Sequence, residues 1–185
     1  MEWMIPAVAL LLLIWGAFVH RRLVSLRETA TQVWSDVDAG FRQRQELIPR
    51  LLQKIQGHLD MEGKPVRALN DARRAAGQAQ TPDAIGKAEA TLDAAIDRVL
   101  VLAAGKPELA ADAGFRRLQS DLPEMEKRLA ALRRHFNDSV EDYNAARLGF
   151  PGAFLAYVVN FPLLERLGVP KAAAAPQVRT SARVL

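Results

Sequence analysis

One stretch constrains the fold more than any other. From Phe115 the apolar residues run Leu118, Leu122, Met125, Leu129, Leu132, Phe136, Val140 and Tyr143, at intervals of three or four. That spacing puts them all on one face of a helix. A stripe this long has to be covered by other helices, so it reads as a bundle seam of about coiled-coil geometry. Pro123 interrupts it, either at a bend or at a restart capped by Asp121.

A second long stripe precedes it. Leu23, Leu26, Ala30, Val33, Val37, Phe41, Ile48, Leu51, Ile55 and Leu59 keep the same spacing, broken only around Arg44 and Gln45. Asp38, Arg42, Glu46 and Arg50 form a charged ladder at intervals of four, suited to an exposed helical side. Pro49 lies inside both patterns. A proline there removes a backbone donor and clashes with the carbonyl of Gln45. The register survives on both sides, so the helix is expected to pass through Pro49 with a kink; a short turn and restart is the alternative. Gly57 and Gly63-Lys64-Pro65 punctuate its end.

Two shorter helices fit between the long ones. The first uses Val66, Leu69, Ala72, Ala76 and Ala79. The second uses Ile85, Ala88, Leu92, Ala95, Ile96, Val99 and Leu102, with Thr81 as N-cap and Pro82 at its first position. Gly105-Lys106-Pro107 stops it. Short connections make neighbours antiparallel, and the two long helices should pair with residue numbers adding to about 170. Composition agrees: 50% of residues are hydrophobic but only 6% aromatic, which suits close helix packing better than a sandwich of sheets.

The N-terminus has a different character. Trp3 to Val19 carries no charge over 17 residues, at the short end of what spans a bilayer. Trp3 and Trp15 lie towards its ends, where amphipathic rings favour the interface. A cleaved signal peptide would want basic residues ahead of the run and a small-residue cleavage site. Here Glu2 precedes it and Arg21, Arg22 and Arg27 follow. The positive-inside rule then puts the N-terminus outside and the large domain in the cytoplasm.

The fold class expected is all-α: an N-terminal transmembrane helix, then an antiparallel up-and-down bundle of about four helices. The anchor takes residues 1–22 and the bundle 23–150. Residues 151–170 form an apolar segment that caps the bundle or lies at the membrane, since Gly149, Pro151, Gly152, Asn160 and Pro162 argue against a second span. Residues 171–185 form a disordered basic tail that could touch anionic lipid weakly.

Little in the chain points to chemistry. There is no cysteine, which excludes disulfides and thiolate ligands. His20, His58 and His135 are far apart, and the expected pairing sets His58 near the start of the last long helix and His135 near Ser35, so no histidine metal site is expected. Asp36 and Asp38 point in different directions on a helix, as do Glu124 and Glu126. No P-loop, nucleophile elbow or paired-histidine motif occurs. Net charge is +4, with basic pairs set among acids and not interleaved with stacking aromatics, so a nucleic-acid partner is not expected. Asn137 and Asn144 share a face with Tyr143. They read as register-fixing interhelical hydrogen bonders, with a pocket around Trp34, Asp38, Arg44 and Asn137 as the functional counterpart.

Two segments carry a resemblance. LVSLRETATQVWSDVD from Leu23 followed by RQELIPRLL from Arg44, and FNDSVEDYNAARLGFP from Phe136 to Pro151, resemble the LemA family. The likeness covers roughly residues 5 to 165. The family pattern falls on Trp34, Asp38, Arg44, Leu47, Ile48, Pro49 and Gly57, and on Asn137, Tyr143, Asn144, Phe150 and Pro151. Arg50 stands where that family often has asparagine, His58 and Phe136 where it has tyrosine, and Met61 where it has histidine. The resemblance implies a bacterial membrane-anchored helical bundle and no reaction. The function expected is a non-enzymatic scaffold or adaptor in the inner membrane, binding a protein partner through helix faces. No cofactor, metal or small-molecule substrate is expected. The alternatives are an accessory subunit of a membrane enzyme and a lipid-binding, membrane-organising protein.

Overall fold

The computed structural model describes residues 3–61 and 63–168. Among these residues six helices follow in order: α1 (Met4–Ile55), α2 (Lys64–Gln78), α3 (Pro82–Ala104), α4 (Pro107–Ala111), α5 (Ala113–Leu148) and α6 (Gly152–Val159). Among the described residues no strand forms.

The frame is the antiparallel pair α1 and α5. α1 is 52 residues long, about 78 Å at the helical rise. Its register on α5 is the one the sequence predicts. Trp34 lies on Phe136, with ring centroids 5.2 Å apart. Gly40 faces Leu129 so closely that a Cβ there would meet the leucine side chain. Lys54 reaches Asp112, at 3.1 Å.

Both prolines are passed without a break. Pro49 lies inside α1 and Pro123 inside α5, so neither helix restarts, and the cap at the head of α5 is Asp112 rather than Asp121. Asp112 accepts from the Phe115 N–H at 2.7 Å. The paired register brings the two prolines to the same level, where both frame helices lose one backbone donor. Just past the Gln56 cap of α1 comes Gly57, whose φ of 88° is left-handed backbone that suits a residue without Cβ. Thr81 caps α3 as expected, accepting from the Ala84 N–H at 3.3 Å, with Pro82 first in the helix.

The bundle is not uniform along its length. α2 and α3 form a hairpin over the distal part of α1 and α5, and there Ile48, Leu51, Leu69, Leu92, Val99 and Phe115 make a four-helix core. Nearer the N-terminus a second cluster joins Val33, Val37, Leu129 and Val140 to Leu167. A third joins Val19 and Leu23 to Tyr143, Ala156 and Phe161. The predicted stripes face inward, buried or partly buried, with one exchange. Leu102 is exposed, and Leu100 and Ala103 take the inward positions at the end of α3.

One expectation about organisation changes. The long first helix is one element, so the boundary set at residues 22 and 23 falls inside α1 with no break. Of the two readings of residues 151–170, the described part, as far as residue 168, packs on the bundle: after α6 the chain turns at Asn160, in left-handed backbone, and residues 161–168 run extended along the frame. They cover the part of α5 that the α2–α3 hairpin does not reach. The expected tail, 171–185, lies outside the described residues. No helix among the described residues is long and apolar enough to cross a membrane.

Candidate functional site: an asparagine ladder and a buried arginine

The extended segment is held by a row of polar side chains on α5. Asn137 donates through Nδ2 to the Leu167 carbonyl at 3.2 Å and accepts through Oδ1 from the Leu167 N–H at 2.8 Å. One helical heptad away, Asn144 treats Leu164 the same way, at 2.8 and 3.1 Å. Between them Tyr143 donates its hydroxyl to the Pro162 carbonyl at 2.8 Å. Arg147 closes the row, its Nε donating to the Phe161 carbonyl at 2.7 Å. Residues seven apart lie on one face of a helix, so Asn137 and Asn144 form a two-rung ladder, each rung satisfying one backbone residue of the strap. Burial pushes the Tyr143 hydroxyl pKa up, against the pull of Arg27 and Arg147, so at neutral pH it is the phenol that donates.

This revises the reading of the asparagines. They do fix a register, but their partner is an extended backbone and not another helix. Leu167 drops its side chain into the core beside Val37 and Leu129. The far end of the strap meets α3, where a Cβ on Gly86 would fall on the backbone of Gly168.

The second polar centre lies deeper. Arg44, on α1, is 1% exposed and meets Glu89 and Asp93 of α3 with its two terminal nitrogens. Arg133 of α5 reaches the other oxygen of Asp93 at 3.3 Å. Both guanidinium groups lie over the Phe41 ring, at 5.8 and 5.4 Å. Two cations and two carboxylates thus tie three helices together with no net charge. Burial brings Arg44 down to about 10, helped by Arg133 and opposed by Glu126. The side chain is still a cation at neutral pH, which the paired carboxylates require.

Most of the predicted residues gather in three places, and Trp34, Asp38, Pro49 and Gly57 stand apart from them. Asn137, Tyr143 and Asn144 gather at the strap. Arg44 anchors the ionic cluster, with Leu47 and Ile48 packed into the distal core one turn on. Phe150 and Pro151 stand at the opposite end, where the Phe150 ring lies 5.8 Å from Trp15. Asp38 makes an exposed pair with Arg42 at 2.6 Å and Pro49 is exposed, so neither joins Arg44. The pocket expected around Trp34, Asp38, Arg44 and Asn137 is therefore not assembled. Trp34 borders a shallow hollow with Pro82, Phe136 and Leu164. His58 pairs with Glu108 at 3.0 Å, and the His20 ring lies tilted against Phe161 with centroids 5.6 Å apart. Among the described residues no group of three or more metal-type side chains converges.

Glu89, Asp93 and Arg133 were not foreseen. Their signal is a charge in phase with an apolar stripe: Glu89 lies on the line of Ile85, Leu92 and Ile96, and Arg133 on that of Leu129 and Phe136. Arg44 breaks the first stripe in the same manner.

The model of the LemA family matches residues 33–179. The chain belongs to the LemA family. The match takes in Arg44, its partners on α3 and α5, the asparagine ladder and the strap, so both polar centres lie inside the family's common region. Among curated proteins nothing matches the chain. Of the departures from the family pattern, Phe136 packs on Trp34 and His58 pairs with Glu108, so neither leaves a gap.

Proposed function

We propose that this LemA-family chain is a non-enzymatic, membrane-anchored scaffold that presents its four-helix head to a protein partner on the cytoplasmic side. The observation behind this reading is how the exposed apolar side chains are distributed. Leu11, Leu13, Phe18, Phe150, Phe154 and Tyr157 lie exposed towards one end of the α1–α5 frame, whereas the far tip exposes Val101 and Leu102. Water does not favour so large an apolar surface on a monomer.

The uncharged run from Trp3 to Val19 would reach roughly 26 Å along a helix, a little under the ~30 Å of a bilayer's hydrocarbon core. A shortfall of this size is met by local thinning of the bilayer at modest cost. Arg21, Arg22 and Arg27 follow the run and support a cytoplasmic head. Residues Val33 to Ile55 of α1 then carry the head away from the surface, tied by the Arg44 cluster and the strap. That is the build of a spacer with a recognition end.

The test uses the full chain in its native membrane, with photo-crosslinkers at exposed head positions such as Arg74, Asp97 and Glu124, and again with residues 3–19 replaced by an unrelated span. A protein crosslinked from the head under both anchors supports the scaffold. A head that crosslinks to nothing under either anchor overturns it in favour of a lipid-directed role. Protease protection of a tag at each terminus checks the orientation.

A further inference from the structure

We infer that α6 is a second membrane contact, an interfacial helix that lies in the headgroup and upper acyl region beside the N-terminal segment of α1. The inference rests on the reading that α1 is anchored there, and it adds a contact that the anchor alone does not require.

Four observations converge on it. The sequence of α6, GAFLAYVV, has no charged residue over its eight positions. Phe154, Tyr157 and Val158 fall at i, i+3 and i+4, one face, and are 71%, 88% and 63% exposed. The helix is fixed by its opposite side, where Ala156 is buried with Val19, Leu23 and Tyr143. Its level along α1 is also defined. Phe150, just before α6, meets Trp15, and Phe161, just after it, meets His20. The uncharged run of α1 ends at Val19, and His20, Arg21 and Arg22 follow. The free face of α6 therefore stands at the height where α1 passes from apolar to basic, the height of an interface.

The occupant that fits is a lipid surface. The exposed apolar residues of α1 and α6 meet where the Phe150 ring lies 5.8 Å from Trp15. Tyr157 and Trp15 are the amphipathic rings that membrane interfaces favour. Arg22 and Asp142 border the cleft between α1 and the α5–α6 turn, so the apolar surface gives way there to charged side chains, as it does at headgroup height. A segment of this kind lies on a membrane and does not span it.

The chain has no cysteine, so single labels can be placed without a background. Full-length protein carrying Phe154→Cys, Tyr157→Cys, Leu12→Cys or Arg134→Cys is spin-labelled and reconstituted into phosphatidylcholine–phosphatidylglycerol vesicles. Accessibility to oxygen and to a water-soluble nickel chelate is then read by electron paramagnetic resonance. All four side chains are exposed, so the labels do not touch the core. Labels at 154 and 157 should favour oxygen as the label at 12 does, while the label at 134 favours nickel. Nickel-favoured labels at 154 and 157, with an oxygen-favoured label at 12, overturn the inference and leave the anchor standing. Labels at 154 and 157 shielded from both reagents overturn it in favour of a contact between copies of the chain. Oxygen-favoured labels at 154 and 157 with a nickel-favoured label at 12 overturn the anchor, and with it the inference that α6 is a second contact beside it. Nickel-favoured labels at all three overturn both.

Discussion

The amide of Asn137 satisfies both backbone groups of Leu167, donating to its carbonyl at 3.2 Å and accepting from its N–H at 2.8 Å. Both partners are buried. Replacing Asn137 with leucine strips two hydrogen bonds and leaves two buried backbone groups without a partner, at a cost of about 2–3 kcal/mol. Asn137→Asp keeps the acceptor but sets a carboxylate against a carbonyl, so it should recover little. Urea denaturation gives the loss. Hydrogen exchange at the Leu167 amide should accelerate sharply in both variants, while the amides of α2, on the other side of the head, keep their protection.

The strap also sets the sign of a glycine substitution. Glycine is about 0.5–1 kcal/mol worse than alanine inside a helix. Gly77, near the end of α2, has open space where a Cβ would go, so Gly77→Ala should raise stability by up to that amount. Gly86, in α3, has the backbone of Gly168 in that place, so Gly86→Ala should lower stability and loosen the strap. Thermal melts of the two variants in one detergent give the comparison. A gain at position 86 would mean that the strap yields freely.

Arg44 is the hub of the ionic cluster, and removing one partner from such a cluster strands the others. Arg44→Met leaves Glu89 buried without a cation and should cost about 3–5 kcal/mol. Adding Glu89→Met removes the stranded charge and leaves Asp93 with Arg133, so the double variant should be more stable than the single one. A denaturant series on the four corners of this cycle gives the coupling directly. If the single variant is as stable as the parent, the cluster does not hold the three helices.

Parts of this architecture can be read in the sequence and parts cannot, for identifiable reasons. The apolar stripes of α1 and α5 recur at helical spacing, so their faces and mutual register follow from local pattern, as Trp34 on Phe136 and Lys54 by Asp112 show. Arg44 is visible as a break in its stripe. Its partners are not, because Glu89 and Asp93 come from a helix about 45 residues away whose rotation about its own axis is set only by packing. The strap is harder still. Asn137 and Asn144 recognise backbone groups of Leu167 and Leu164, and backbone groups are the same whatever the side chain. At the end of α3 both Leu102 and Ala103 lie at a helical interval from Val99, and it is Ala103 that the packing buries.

The head of α5 supplies a pH dependence whose sign can be worked out. Asp112 accepts from the Phe115 N–H at 2.7 Å and pairs with Lys54 at 3.1 Å. The backbone bond first, and Lys54 second, hold its carboxyl below the ordinary 3.8. A carboxyl depressed in the folded chain favours folding at every pH above the unfolded value and loses that effect as pH falls through the folded one. Asp112→Asn keeps a side-chain oxygen for the Phe115 N–H but removes the charge. It should therefore melt below the parent at pH 7, and the gap between the two should close as the buffer is taken below about pH 4. Lys54→Met should narrow the gap at pH 7, since it removes the cation that the charge meets. Melts of the parent, the two single variants and the Asp112→Asn/Lys54→Met double variant from pH 7 to pH 3 test this, the narrowed gap being that between Lys54→Met and the double variant. A gap that stays constant over that range would show that Asp112 acts at the helix end through its oxygen alone and not through its charge.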